Sequence, residues 1–259
     1  MGSEIVTNGN CVPPLLAPIQ AGMRTDIAGK AIRNFILLSI PDDEYGLIRE
    51  FLEPIDLPQY FVLHEPGEKI RYAHFLNAGM TSLVVVSKEG HSVEVGIVGR
   101  EGMVGLPLTA GMQWSYFRAI MQITGSGVKM PAEILEQLLP STPVLRRQLT
   151  RYAMMHAMQV GQIAACNRLH DLDKRLARWL LMCQDRIDSE SLHLTHEFLA
   201  QMLGSGRPSV SLAAAVLERA GLIENLRGRM KILNRKQLET AACECYGVIQ
   251  TFNGGMGLK

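Results

Sequence analysis

Arg207 follows a glycine-rich turn and is the first of a group of basic residues. Residues 202–236 carry seven Lys or Arg side chains and only two Glu. Lys and Arg side chains clustered in this way can neutralise phosphate groups. The segment therefore predicts a polyanionic partner, and double-stranded DNA is the leading candidate. The alternative is a solvated basic face on a module that docks a protein, in which case binding would respond much less to salt.

The residues that position this basic group predict a winged helix-turn-helix. Thr195 is a typical helix N-cap, and Gly204 and Gly206 allow a tight turn before a second helix that opens at Arg207 and Pro208. A hairpin over 222–233, with its turn at Arg227 and Gly228, predicts the wing. The apolar residues of the second helix that we expect to face inward are Val210, Leu212, Ala213, Val216, Leu217 and Ala220.

This arrangement suits the DNA major groove, which accepts an α-helix whose N-terminal side chains reach the base edges. Arg207 is the predicted base reader, and the hairpin is expected to lie along the flanking phosphates. The predicted DNA contacts are Thr195, Ser205, Gly206, Arg207, Pro208, Ser209, Ser211, Arg227, Arg229 and Lys231.

The rest of the chain predicts a β-rich segment followed by a long helix. Residues 60–127 form short β-prone runs between glycine turns, which favours an antiparallel, eight-stranded roll of the jelly-roll type, and two short helices precede it between 31 and 52. After Pro143 a helical apolar stripe predicts a dimer seam, or else packing on the chain's own roll. The predicted interface residues are Leu149, Tyr152, His156, Val160 and Ile163.

These patterns predict an α+β fold with an antiparallel β-roll, a long dimerisation helix and a C-terminal winged helix-turn-helix. We expect a loosely ordered arm over 1–29, the roll over 30–130, connecting and dimerisation helices over 131–168, and the DNA-binding domain over 169–259. The 259 residues, 47% of them hydrophobic, suffice for two modest cores.

In this order the elements resemble the Crp/Fnr family of bacterial transcription regulators across about residues 31–246. The resemblance rests on LHEPGEKI (63–70), SVEVGIVGREGMVGLP (92–107), RLARWLLM (175–182) and LTHEFLAQMLGSGRPSVSLAAAVLERAGLI (194–223). It implies a homodimer, a sensory roll and a two-fold-symmetric operator, with Arg207 in the place of the family's guanine-reading arginine. RNA polymerase is a further candidate partner. Proline at 208 and glycine at 206 depart from the family pattern, which leaves the target sequence open.

The resemblance also places an effector pocket in the roll, at Gly105, Leu106 and Arg118. Family members that bind cyclic nucleotides have a carboxylate for the ribose where this chain has Leu106, and a hydroxyl beside the phosphate-binding arginine, which Arg118 lacks. Losing the charge-assisted bond to the ribose costs about 1.5–3 kcal/mol. We therefore expect that cyclic AMP is not the effector.

Other chemistry finds less support in the sequence. An iron–sulfur sensor needs several N-terminal cysteines, and only Cys11 lies there, whereas haem stays open because a roll or helix histidine could ligate it. The candidate axial ligands are His64, His74, His91 and His156. Three groups could contribute metal ligands, Cys166 with His170, Cys243 with Cys245, and His193 with His196, but none supplies four ligands at a recognised spacing. No metal site and no catalytic constellation is predicted.

Composition sets the remaining expectations. The formal net charge of +1 offers no attraction of the whole chain to nucleic acid or membranes, so the basic segment has to act locally. Five cysteines without framework spacing suit a reducing compartment, and no apolar run is long enough to span a bilayer. We expect a cytoplasmic protein that is not an enzyme.

Overall fold

The structure is a computed structural model that describes residues 24–187, 189 and 191–254. The predicted N-terminal arm therefore lies outside the described residues as far as residue 23. Residues 24–29 are not loose, which corrects the prediction for the end of the arm. Arg24 donates to the carbonyl of Ile40 at 2.6 Å, and the buried carboxylate of Asp26 accepts from the backbone of Lys30 at 2.9 Å.

Two short helices precede the roll, as predicted. They are α1 (Phe35–Ser39) and α2 (Asp42–Arg49). Asn34 caps α1 by accepting a hydrogen bond from the Leu37 backbone amide at 3.2 Å. Ile36 and Ile48 are buried in the same core as the roll, so both helices close one end of it.

The described part of the roll is a six-stranded antiparallel sheet. Its strands are β1 (Glu53–Leu57), β2 (Val62–His64), β3 (Tyr72–Val86), β4 (Ser92–Val98), β5 (Met103–Val104) and β6 (Arg118–Pro131). The order is β1-β6-β3-β4, with β2 also paired to β6 and β5 to β3. One of the predicted glycine turns joins β3 to β4, with Gly90 at φ +83°.

The expectation of eight strands is corrected to six because two strands are much longer than predicted. β3 and β6 pair along most of their length, and their register shifts near Ala78 and Met80. Gly79 has φ +83°, and a Cβ there would lie 2.7 Å from the Cα of Gly125. This close glycine contact bends the pair, so each strand continues through a point where the sequence predicts a break.

Helix α3 (Ala132–Leu138) leads to the long helix α4 (Pro143–Leu169). The predicted dimer stripe on α4 faces the chain's own interior. Leu149 is fully buried in the roll core, and Ile163 is 3% exposed in a second core, while Tyr152 and His156 are also buried. The predicted interface is therefore corrected: apart from the half-buried Val160, these side chains are already covered by the same chain.

The C-terminal part contains the predicted winged helix-turn-helix and additional elements. They are α5 (Leu172–Gln184), β7 (Ser191–Leu192), α6 (His196–Leu203), α7 (Arg207–Arg219), β8 (Ile223–Leu226), β9 (Arg229–Ile232), α8 (Arg235–Ala241) and α9 (Cys245–Gly254). The small sheet has the order β7-β9-β8. None of the helices in the described ranges has the length and apolarity needed to cross a bilayer.

The roll and the winged helix share one hydrophobic cluster. Met80, Val84 and Ile97 from the roll pack with Trp179 and Leu180 of α5 and with the core of the winged helix. Burying this apolar surface holds the two parts together more firmly than a flexible linker would. The predicted α+β fold is confirmed, and its two parts meet over a packed interface.

Candidate nucleic-acid interface

The helix-turn-helix is built by a cap, a left-handed glycine and a proline. The Thr195 hydroxyl accepts from the Phe198 amide at 3.1 Å, which satisfies one of the free N–H groups at the start of α6. Gly204 ends that helix at φ +56°, a conformation that costs a side-chain-bearing residue energy. Pro208 lies in the first turn of α7, where its missing N–H removes no helical hydrogen bond.

The outer face of α7 is more apolar than predicted. Leu212 is 71% exposed and Val216 is 42% exposed, and Ala220 is also on the surface, so the inward assignment of these three residues is corrected. Val210, Ala213 and Leu217 are buried as predicted, since the helix needs only one stripe to pack on α5 and α6.

The residues predicted to contact DNA around the turn are mostly on the surface. Arg207, Gly206, Pro208 and Ser209 are exposed, and Ser205 is partly exposed. The turn also touches the roll, because a Cβ on Gly204 would lie 2.9 Å from Cγ2 of Val93 on β4. Arg207 therefore lies at the mouth of a cleft between the turn and the β3–β4 hairpin.

Ser211 has an internal role. Its hydroxyl donates to the Arg207 carbonyl at 3.0 Å and lies 2.9 Å from Nδ1 of His196. The other ring nitrogen of His196 lies 3.2 Å from Oδ1 of Asn225 in β8. These contacts connect α6, α7 and the wing, so the wing keeps a fixed position relative to the second helix.

The wing presents three cations next to this helix. Arg227 and Arg229 are exposed at the turn, where Gly228 has φ +72°, and Lys231 is partly exposed on β9. Glu218 of α7 accepts from the Asn225 amide at 2.9 Å and so anchors β8. The predicted hairpin is confirmed. The third strand, β7, was not predicted because two residues give no detectable period.

One residue of the basic group is used structurally. The Arg235 guanidinium lies 2.5 Å from Asp185 and also donates to Gln184 and Glu239. It anchors α8 to the end of α5 and is therefore less available to a phosphate than the wing arginines.

The predicted effector residues make contacts within the chain itself. Gly105 has φ +105°, and Leu106 begins a 3-10 turn (Leu106–Ala110) that packs against the roll core. Arg118 donates through Nε to a carboxylate oxygen of Glu65 at 2.8 Å. The cation expected to meet a phosphate is thus paired with an anion of the chain.

Three of the four candidate haem ligands are buried. Burial lowers the pKa of His74 to about 4 and that of His156 to about 4, and it also lowers the pKa of His64. His91 is exposed in the β3–β4 turn. A Cβ on Gly96 would lie 2.6 Å from Nε2 of His156, so the roll packs directly against this ring.

Two of the cysteine and histidine pairs that are distant in sequence meet in the structure. Cys166 and His170, at the end of α4, lie beside Cys243 and Cys245, at the junction of α8 and α9. No four-ligand spacing is visible in the sequence because the ligands come from distant segments: Cys166 and Cys243 are 77 residues apart.

The C-terminal part of the chain and its whole fold both have counterparts among known proteins. Residues 174–241 match the Crp-like helix-turn-helix domain. Among curated proteins no match is found. FixK2 from Bradyrhizobium japonicum superposes with a TM-score of 0.64 at 15% identity, over 74% of this chain and 98% of that one.

Two further solved structures have the same architecture. The c-di-GMP-responsive global regulator CLP of Xanthomonas campestris gives a TM-score of 0.63 at 14% identity, covering 75% of this chain and 100% of that one. The Crp-family regulator TTHB099 of Thermus thermophilus gives a TM-score of 0.60 at 22% identity, covering 73% of this chain and 96% of that one. The resemblance predicted from sequence is thus confirmed: the chain carries a Crp-like helix-turn-helix domain and has the fold of Crp/Fnr regulators.

Proposed function

We propose that this protein, with its Crp-like helix-turn-helix on a Crp/Fnr fold, is a transcription regulator that binds a two-fold-symmetric DNA operator as a homodimer. The observation that carries the proposal is the exposed N-terminal end of α7, with Arg207 at its first position and a basic wing tied to the same helix. A helix presented in this way can enter the major groove while the wing arginines meet the flanking phosphates.

The exposed apolar residues of α7 extend this proposal. Leu212 lies five positions after Arg207, and Val216 lies one turn further along the helix. Apolar side chains that face the major groove contact the methyl group of thymine. We expect the operator half-site to combine a guanine opposite Arg207 with a thymine within reach of Leu212.

Dimerisation is assigned to the outer face of α4, in place of the buried stripe. This face presents Met154, Met158, Gly161 and Ala165, all exposed in the single chain and spaced by three or four residues. Glycine and alanine allow two helices to approach closely, and the flexible methionine side chains fill the remaining gaps. A dimer that binds an inverted repeat has to place its two α7 helices on successive major grooves, about 34 Å apart.

Selection of bound sequences from a random duplex library tests this function. We expect an inverted repeat with half-sites one helical turn apart, and an affinity that falls steeply with salt because phosphate neutralisation releases counterions. A protein that enriches no sequence, and whose binding to duplex DNA does not depend on salt, would favour the alternative of a winged helix that docks a protein.

A further inference from the structure

Four potential metal ligands converge where the long helix meets the end of the DNA-binding domain. The thiols of Cys166, Cys243 and Cys245 and a ring nitrogen of His170 all lie within 4.8 Å of one another. The Cys166 and Cys243 sulfur atoms are 3.4 Å apart, and the Cys245 sulfur is 3.6 Å from Nδ1 of His170. This cluster is unrelated to the DNA-contacting face.

Local structure explains why these side chains point at each other. Cys166 and His170 are four residues apart, so they share one face at the end of α4. Cys243 lies in the link between α8 and α9, and Cys245 is the first residue of α9, which packs along α4. The three cysteines are between 0% and 5% exposed and form an apolar cluster of their own.

We propose that Cys166, His170, Cys243 and Cys245 bind one zinc ion in a tetrahedral site. Three thiolates and one imidazole are a standard structural zinc set, with metal–sulfur bonds of about 2.3 Å and metal–nitrogen bonds of about 2.0 Å. Those bond lengths require ligand atoms about 3.5–3.8 Å apart, from tetrahedral geometry. The observed separations need only small side-chain movements to reach this arrangement.

Two of the candidate ligands accept or donate hydrogen bonds of the kind found around metal sites. Glu244 lies 3.0 Å from Nε2 of His170, which directs the other nitrogen toward Cys245. A carboxylate that accepts from a ligating histidine fixes both the tautomer and the orientation of its ring. Gln162 donates to the Cys245 sulfur at 3.1 Å, as outer partners of a thiolate do.

The charge around the cluster is also compatible with a bound zinc ion. A zinc ion with three thiolates carries one net negative charge. Arg178, only 2% exposed, is close enough for its charge to act on Cys166, and its Nε has no hydrogen-bond partner among the described residues. A buried cation that lacks a full set of partners is costly unless a nearby anion compensates it.

The spacing disfavours the two main alternatives. A disulfide requires sulfur atoms about 2.05 Å apart, and the cysteines in the described residues are free. An iron–sulfur cluster places inorganic sulfide and several iron atoms between its thiolates, so a set of ligand atoms within 4.8 Å leaves space for a single ion.

The position of the ion gives it a mechanical role. It would join the end of α4 to the start of α9, and its ligand His170 lies in the two-residue link between α4 and α5. The DNA-binding domain would then be fixed to the long helix at both of its ends. Metal binding would contribute folding free energy here, as in other structural zinc sites.

Elemental analysis of the full-length protein, purified under reducing conditions and without chelators, tests the proposal. We expect about one zinc per chain. Cys245→Ser and His170→Ala should reduce the zinc content several-fold. Cys183→Ser is the matched control, because Cys183 is equally buried but lies on α5 outside the cluster, and it should keep the metal.

Cobalt substitution gives a second readout that requires no variant. Reduced, metal-stripped wild-type protein should take up about one Co²⁺ per chain, with the visible d–d bands and the thiolate charge-transfer band of a tetrahedral site. Zinc should then displace the cobalt and abolish these bands. Circular dichroism of each variant separates loss of the metal from loss of the fold.

Three results would overturn the site. They are wild-type protein with neither zinc nor cobalt bands, a Cys166–Cys243 disulfide found by mass spectrometry of protein kept under reducing conditions, or iron accompanied by acid-labile sulfide. Each is scored without DNA, so failure of the zinc site and failure of the proposed DNA binding are distinguishable.

Discussion

Nε1 of Trp179, on helix α5 of the DNA-binding domain, donates to Oε1 of the Glu94 carboxyl group, on strand β4 of the roll, at 2.8 Å. Both side chains are buried, with exposures of 1% and 4%. A second buried contact runs parallel to it, in which Arg186 donates to Glu101 at 2.7 Å. The roll and the winged helix-turn-helix are therefore joined by polar contacts that tolerate little displacement, because separating them would leave buried groups without partners.

Glu94 should make stability depend on pH. Burial raises its pKa from 4.5 to about 7, against the opposing effects of Ser82, Trp179, Arg178 and Arg186. As pH rises from 4.5 toward 7, the unfolded chain ionises at this position while the folded chain keeps its proton, so the free energy of unfolding falls. Above the folded pKa the loss is constant, at about 3 kcal/mol.

The variant that checks this is Glu94→Gln, which cannot ionise. Relative to wild type, its free energy of unfolding should rise by about 2–3 kcal/mol on going from pH 5 to pH 8, as measured by urea denaturation. Glu89→Gln, at an exposed position in the neighbouring turn, is the control. Parallel pH profiles for wild type and Glu94→Gln would show that the carboxyl is already ionised in the folded state.

Local signals were sufficient to predict the helix-turn-helix. Thr195, Gly204 and Pro208 each constrain the backbone by their own chemistry, so the two helices and the turn follow from residue type alone. The wing could be predicted equally well because a glycine turn separates its two strands.

Features that depend on residues distant in the sequence could not be predicted from the sequence. The stripe of Leu149 and Ile163 has a period that fits a dimer seam and a buried face equally well, and only the packing of the roll decides between them. The continuation of β3 past Gly79 depends on Gly125 across the sheet. The grouping of Cys166 with Cys243 likewise depends on α9 returning to α4.

Base readout should depend on Arg207. Arg207→Ala should weaken binding to the selected operator by about 1–3 kcal/mol, while weak binding to unrelated duplex changes little, because a bidentate contact to guanine acts only on the specific site. Competitive gel shifts with operator and scrambled duplexes measure the specific and the non-specific affinity. An unchanged sequence preference would refute Arg207 as the reader.

The wing should behave differently. Arg229→Ala should weaken binding to all duplexes alike and flatten the salt dependence by about one unit, as expected for the loss of one phosphate contact. Arg146→Ala, an exposed arginine at the start of α4, is the control for net charge. If Arg146→Ala lowers the salt slope as much as Arg229→Ala does, overall charge and not the wing is responsible.

The dimer should depend on the outer face of α4. Met158→Asp places a charge in the centre of the proposed seam and should shift the protein to monomer in sedimentation velocity, with loss of binding to the inverted repeat. Leu47→Asp is a matched control, since Leu47 is 47% exposed and Met158 is 45% exposed, but it lies on α2. Ile163→Asp would instead bury a charge in the chain's own core and lower stability. An intact Met158→Asp dimer would place the interface elsewhere.

Cyclic AMP and cyclic GMP should neither bind the roll nor change DNA affinity. Leu106 offers a ribose hydroxyl no hydrogen bond, and a phosphate approaching Arg118 would have to displace Glu65 and would meet its negative charge. A ligand shifts a conformational equilibrium only by its differential affinity, so a nucleotide that does not bind cannot act as the switch. A Soret band on the purified protein would instead identify haem as the effector group.

Calorimetry decides the nucleotide prediction. Wild-type protein should give no binding heat with micromolar cyclic AMP, and Glu65→Gln alone should add little, because it releases Arg118 but leaves the ribose without a partner. The double variant Glu65→Gln with Leu106→Glu supplies both missing contacts and should bind weakly, since the arginine still lacks a neighbouring hydroxyl. Micromolar binding by wild type that Arg118→Ala abolishes would contradict this assignment, because it would mean that the nucleotide outcompetes Glu65 and finds its ribose contact on a residue other than Leu106.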